Sequence, residues 1–305
     1  MIARLDNLRK HPSVFRHLTG LTVPAFDALA ADVAPAVEDD HRASLDRPNR
    51  QRAIGAGGEF GLTTADQVLL AVVWLRQYPT QEVLGFLFGV SDSTALRAVR
   101  RCLPVLERAG KDTMRMPDPG AGRRKKLPAL LADTPGLAVV VDTFEQRTHR
   151  PRRRQRAYYS GKKKAHTLKS QVGVDEESGR VVDVSDTVPG PWADVKLLRK
   201  SRLLRRLPEG VGGIGDLAYT GIADLHPGGL GAAPRRKPRG QVRPPEDIRY
   251  NRAFSRRRIV VEHTIGRLRR FRSLSHVNRH RRKGHAARVR AVAGLVNRML
   301  PTPMP

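Results

Sequence analysis

Residues 137–144 read Leu-Ala-Val-Val-Val-Asp-Thr-Phe. A short continuous apolar run this rich in β-branched side chains predicts a strand buried on both faces. Such a strand needs a sheet around it and helices over that sheet. The run stops at a carboxylate, Asp142, and residues 145–170 then hold ten Lys or Arg against one Glu. An acid delivered by a core strand into a basic groove is suited to holding a cation beside phosphate.

The chain has 305 residues, enough for two domains. Its 57 Lys and Arg against 29 Asp and Glu leave a formal charge of +28, with a pI near 11.4. Solubility does not require such an excess; its natural counterpart is a polyanion, with nucleic acid the first candidate. The single cysteine, Cys102, excludes an internal disulfide and a cysteine zinc cluster. No apolar run approaches eighteen residues and no secretory pattern follows Met1, so no membrane partner is expected. The expected location is cytoplasmic, on the bacterial nucleoid.

In the amino-terminal part, Leu21, Phe26, Leu29 and Val33 recur at helical spacing behind Thr22, predicting a short helix within residues 18–37. Residues 38–61 read as a polar connector. Thr63-Thr64-Ala65-Asp66 caps a second periodic helix that stops before Pro79. A third runs from Thr80 to Phe88, Gly89 makes a turn, and Ser91-Asp92-Ser93 caps a fourth through about Leu106. Two helices joined by a glycine turn, with Arg97, Arg100 and Arg101 on the second, fit a helix-turn-helix that contacts DNA. A plain three-helix bundle with a solvated basic face fits the spacing equally. The expected divisions are a helical segment and connector over 1–52, a helix-turn-helix over 53–112, a linker over 113–130 containing the basic run Arg123–Lys126, and a second domain over 131–305.

In that second domain the predicted order is a strand at Leu137–Val141, a strand at Thr167–Asp175, a turn at Glu176–Gly179 and a strand at Arg180–Ser185. A helix then begins at Pro191-Trp192-Ala193-Asp194, a short strand leads onto Asp216, Ala232–Pro234 is weakly extended, and a long helix covers Arg256–Arg272. The order predicts an α+β protein: an all-α helix-turn-helix domain followed by a ribonuclease H-like mixed sheet with helices on its faces. In that topology Asp142 and Asp216 end neighbouring strands, and Glu262 lies on the last long helix, with Ile259 and Ile265 facing the sheet. Two aspartates and a glutamate are the hard oxygen ligands that Mg²⁺ takes. Two such ions about 3.5 to 4 Å apart can activate an attacking oxygen and offset charge on the leaving one in phosphodiester chemistry. Mn²⁺ is expected to substitute.

Each acid also has a plainer role. Asp194 competes for the second position or simply starts its helix; Asp142 can cap its strand, and Glu262 can pair with Arg258 along the helix. In the basic tract, Arg152, Arg153, Arg154, Lys162, Lys163 and Lys164 are placed as a phosphate clamp beside Asp142, or as a solvated face.

The segments HPSVFRHLTGLTVPAFDAL, YYSGKKKAHTLKSQVGVD, DVSDTVPGPWADVKLL, GDLAYTGI and VVEHTIGRLRRFR resemble, in this order, the DDE-class transposases of bacterial insertion sequences, particularly the insertion-sequence-5-like group with a fused helix-turn-helix. The resemblance covers nearly the whole chain. It implies that Asp142, Asp216 and Glu262 are the catalytic and metal-binding acids, and that Arg258 and Arg269 are the family's basic residues around the glutamate. The family's tyrosine three residues before that arginine is Ser255 here. What it further implies is binding to terminal inverted repeats, Mg²⁺-dependent cleavage at the element ends, transfer of the 3′-hydroxyl strands to target DNA, and a homodimer on DNA. An inactive or repurposed DNA-binding protein and a metal nuclease that never joins strands are the alternative functions.

Overall fold

The computed structural model describes residues 3–46, 51, 61–121 and 127–301. Most of the expected connector, residues 47–50 and 52–60, and the basic run Arg123–Lys126 lie outside the described residues. The chain opens with α1 (Leu5–Leu8), α2 (Pro12–Thr19) and α3 (Val23–Leu45). The helix expected behind Thr22 is α3, and α2 is a further helix ahead of it. Gly20 at φ +82° ends α2, and the Thr22 hydroxyl accepts from Ala25 N to start α3. Helix α3 runs past residue 37 into the expected connector, burying Phe26, Leu29, Val33 and Val37 along one stripe. No single described helix is long and apolar enough to cross a membrane.

Helices α4 (Thr64–Gln77), α5 (Gln81–Phe88) and α6 (Asp92–Asp112) follow, capped by the hydroxyls of Thr63, Thr80 and Ser91. Residues Asp66 to Leu75 of α4 are all buried, which makes it the core helix of this unit. Between α5 and α6, Gly89 takes φ +64°, and a Cβ on Gly85 would lie 2.6 Å from Val90 O. Both positions require glycine, and the turn is the tight one a helix-turn-helix needs. Helix α6 continues six residues beyond Leu106 because Gly110 packs against a helix far along the chain.

The sheet domain contains β1 (Leu137–Arg147), α7 (Gln155–Tyr158), β2 (Tyr159–Ser160), β3 (Ala165–Asp175), β4 (Val181–Val184), β5 (Val188–Pro189), α8 (Asp194–Ser201), β6 (Val211–Ile214), β7 (Gly231–Ala232), α9 (Pro245–Arg269), α10 (Arg272–Ser275) and α11 (His285–Arg298). The strands are ordered β2-β3-β1-β6-β7, with β4 and β5 also on β3. Strand β1 is antiparallel to β3 and parallel to β6, and β6 is parallel to β7. This is the expected α+β arrangement with a ribonuclease H-like mixed sheet. Two expectations are corrected. Asp142 does not end β1, because pairing with β3 carries that strand on to Arg147. Ile259 is half exposed, because the buried stripe of α9 is Tyr250, Phe254, Arg257, Val261, Ile265 and Leu268.

Alternate residues of β1 face opposite layers. Val140 and Phe144 join the core under α9 and α11, whereas Val139 and Val141 pack with Leu198, Leu203 and Tyr219 on the α8 side. The first of these cores does not stop at the segment joining the two units. Helix α11 lies against both α6 and β4: a Cβ on Gly294 would sit 2.3 Å from Gly110 Cα. On its other side, Asn297 exchanges 2.8 Å bonds with Val181 N and O. A second bridge is polar. Arg279 N donates to the Tyr78 hydroxyl at 3.0 Å, and His280 sits edge-on to Trp74 at 5.0 Å.

Candidate active site

The parallel ladder between β1 and β6 pairs Val140 with Ile214 and then stops. Carried two residues further, the same register sets Asp216 opposite Asp142. The Asp216 carboxylate accepts from Ala218 N at 2.8 Å and caps the short turn Leu217–Tyr219. That turn folds the Tyr219 ring onto Gly215, where a Cβ would lie 2.6 Å from the ring. Asp142 Oδ1 accepts from Thr143 N at 2.7 Å. Burial pushes the Asp142 carboxyl up to about 6; the Asp216 and Asp194 charges add to the rise, while the Thr143 N–H and the Arg258 guanidinium oppose it.

The Tyr219 side chain is fully buried, and its hydroxyl has no hydrogen-bond partner among the described residues. Burial raises its pKa well above the ordinary phenol value, and the charges of Asp194, Asp142 and Asp216 raise it further. The phenol therefore stays neutral beside the acids. From the sequence, Tyr219 can pack or stack on DNA, with packing favoured; its burial agrees with packing.

Asp194 begins α8, on the other layer of the sheet from α9. Its Oδ1 accepts from Lys169 Nζ at 2.7 Å and from the Thr143 hydroxyl at 2.9 Å. Lys169 is buried, also lies 3.8 Å from Glu145 Oε1, and stands opposite Glu145 in the β1–β3 register. Asp194 is thus already neutralised by an internal ion pair. Lys169 was counted in the basic tract at the sequence level; its cross-strand position opposite Glu145 is the feature that separates it from the exposed cations.

Helix α9 crosses the layer that Asp142 faces. At about 100° per residue, Arg258, Glu262 and Arg269 fall within about 40° of one another around the helix. The Arg258 charge acts on Asp142, and Arg269 Nη2 approaches Glu145 O at 3.4 Å, so both ends of the stripe meet β1. Glu262 lies between them and is exposed. Among the described residues no three His, Cys, Asp or Glu side chains are gathered closely enough to form a ready cation cage. The two aspartates come together; Glu262 is one turn of helix from Arg258 and is not bonded to either of them. The donor set nevertheless fits a hard cation: two carboxylates repel across a partly buried gap, and positive charge there relieves both burial and repulsion.

Arg257 serves a different purpose. It is buried and forks onto Glu176 through Nε at 2.9 Å and Nη2 at 2.5 Å, with Nη1 on the Thr134 hydroxyl at 2.6 Å. This clamp fixes the helix one residue before Arg258.

The basic tract is exposed at Arg152, Arg153, Arg154, Lys162, Lys163 and Lys164, with Arg154 and Lys164 in the left-handed region at φ +56° and +46°. Arg282 covers the Tyr158 ring at 4.4 Å, and Tyr159 packs edge-on against His166 at 5.6 Å. On α6, Arg97 and Arg100 are exposed. Arg101 turns inward, donating to Gln67 Oε1 at 2.7 Å, and braces α6 on α4.

Residues 141–297, about half of the chain, match the DDE superfamily endonuclease family, and residues 61–112 match the helix-turn-helix of DDE superfamily endonucleases. The chain belongs to the DDE superfamily of endonucleases, with a helix-turn-helix unit ahead of the sheet domain. It is 29% identical over 283 residues to the probable transposase for insertion sequence element IS702 of Microchaete diplosiphon, covering 93% of each chain. No solved structure matches the chain significantly.

Proposed function

We propose that the protein is a DNA transposase that binds the terminal inverted repeats of an insertion sequence, cleaves at the element ends and joins the freed 3′-hydroxyls to target DNA. The observation that carries the reading is the β1–β6 register, which brings Asp142 and Asp216 side by side beneath a helix bearing Arg258, Glu262 and Arg269. Similarity to a probable transposase over 93% of the chain supports it.

Asp142, Asp216 and Glu262 are the residues that would hold divalent cations, Mg²⁺ or in its place Mn²⁺, two per site. When bound, such ions activate the attacking oxygen and stabilise the leaving one in an in-line displacement. The chain's own residues do the rest. Tyr219 seals the floor of the site without contributing a charge. Arg258 and Arg269 hold the phosphate's non-bridging oxygens over β1, and Arg152–Arg154 with Lys162–Lys164 hold the flanking backbone. Arg97 and Arg100 face the DNA from α6, with Arg101 fixing that helix. Two element ends must meet for joining, so the active form is a homodimer on DNA.

The test is metal-dependent nicking and joining of a labelled duplex carrying the element's end. Asp142→Asn and Glu262→Gln are expected to abolish both activities, by at least about a thousandfold, while DNA affinity stays within about twofold. Normal cutting by either variant sinks the assignment. A comparison of Asp194→Asn with Asp216→Asn decides the second acid: cutting that survives only in the Asp216 variant overturns the choice of Asp216. Cut ends without joined product leave a nuclease, and binding without cutting leaves a repurposed DNA-binding protein.

A further inference from the structure

Arg76, in the last turn of α4, lies over the face of the fully buried Phe271 ring, its Cζ 5.1 Å from the centroid. Phe271 sits between Arg270 and Arg272, both exposed, and the charges of both act on Arg76, so three guanidinium groups from two units lie near one another. None of the three has a carboxylate partner among the described residues, and Arg76 Nη1 is buried without any hydrogen-bond partner among them. Burial lowers the Arg76 pKa, and the charges of Arg270 and Arg272 lower it further. Arg76 also walls a cavity of about 870 Å³ shared with Arg9, Arg16, His17 and Thr22. In that cavity Arg9 is neutralised by Asp27 at 2.7 Å, whereas Arg16 has no carboxylate partner among the described residues. The start of α3, a helix of 23 residues, opens into the same space.

Like charges held together around an unfilled donor store repulsion that an anion removes. Guanidinium forks match phosphate oxygens two at a time. The position says which phosphate. Arg76 precedes by one turn the Pro79–Thr80 link into α5, and in a helix-turn-helix the first of the two helices crosses the nucleic-acid backbone. Arg270 and Arg272 directly follow Arg269, the last member of the active-site stripe.

We infer that Arg76, Arg270 and Arg272, with Arg16 across the cavity, form a seat for a backbone phosphate of bound duplex DNA at the junction of the helix-turn-helix unit and the sheet domain. The seat rests on the DNA-binding reading above and extends it: one phosphate would join the unit that recognises DNA to the unit that cuts it.

The experiment measures affinity for a random-sequence duplex of about 30 base pairs against salt concentration, for the wild type, Arg76→Gln and the double variant Arg270→Gln/Arg272→Gln. Each lost phosphate contact reduces the slope of log K against log salt by about 0.9; both variants are expected to show that loss. Arg76→Gln is also expected to melt at the same temperature as the wild type or higher, because it removes repulsion. The exposed double variant keeps the test valid if Arg76→Gln folds poorly. Slopes unchanged in the double variant overturn the proposal. Stabilisation of free wild type, but not of Arg76→Gln, by inorganic phosphate at matched ionic strength, with unchanged DNA slopes, identifies a small-anion site and overturns it too. A flat wild-type slope instead sinks the DNA-binding reading itself, and a steep slope without cleavage sinks only the transposase reading.

Discussion

Asp142 holds a charge against its surroundings. Its carboxyl is raised to about 6, first by burial and then by the neighbouring Asp216, against about 3.9 in an unfolded chain. The folded state therefore binds this proton more tightly than the unfolded state does. Its contribution is favourable below about pH 4 and is lost as pH rises through 6. Asp142→Asn removes the charge while keeping the shape. In metal-free buffer the variant is expected to melt higher than the wild type at pH 8, with the difference shrinking towards pH 5. Thermal midpoints followed by circular dichroism across that range check it; a constant difference, or a lower midpoint at pH 8, contradicts the raised carboxyl. Sequence alone marked the acid, because a β-branched run ending on Asp is conspicuous. It did not mark Lys169 as Asp194's partner, since one more lysine in a basic tract is invisible until β3 aligns with β1.

The long helix α9 is the element on which the site depends, and the Arg257–Glu176 clamp sets its position. Both side chains are only 6% exposed, so removing one leaves a buried charge without its partner. Arg257→Ala is expected to cost about 3 to 5 kcal/mol in denaturant unfolding, and Arg257→Met with Glu176→Leu together much less. A cost below about 1 kcal/mol for the single change, the range of exposed pairs, would mean that the pair does not hold the helix. The helix was legible as a helix, but its start was not: Pro244 and Pro245 begin it eleven residues before Arg256. The sequence periodicity there is weak because Tyr250 and Phe254 pack locally, stacked 5.8 Å apart, ahead of the stripe that meets the sheet. Ile259 misled for a related reason, since apolar character does not determine which side of a helix faces inward.

Over the whole molecule, the helix-turn-helix unit and the sheet domain share one apolar core through α11. Unfolding is therefore expected as a single transition, with buried Trp74 fluorescence and far-ultraviolet circular dichroism coincident in urea. Gly294→Ala forces a methyl group to within 2.3 Å of the Gly110 backbone, and neither helix can yield without moving its unit. The expected loss is about 1 to 3 kcal/mol; separate transitions in the wild type would show that the junction does not couple the units. Coupling of this kind gives the phosphate seat at Arg76 a rigid frame.

By itself the sequence determined what local chemistry determines: the strand before Asp142, the glycine turn between α5 and α6, the threonine and serine caps, the acids and the excess of cations. Each depends on neighbours a few residues away, so each is visible in one dimension. Only the tertiary structure decided that β1 runs on past Asp142, that Asp194 is neutralised on the far layer while Asp142 faces α9, and that Arg101 and Lys169 are braces among otherwise exposed cations. Those outcomes turn on strand register and helix rotation, which are set by contacts between residues far apart in the chain.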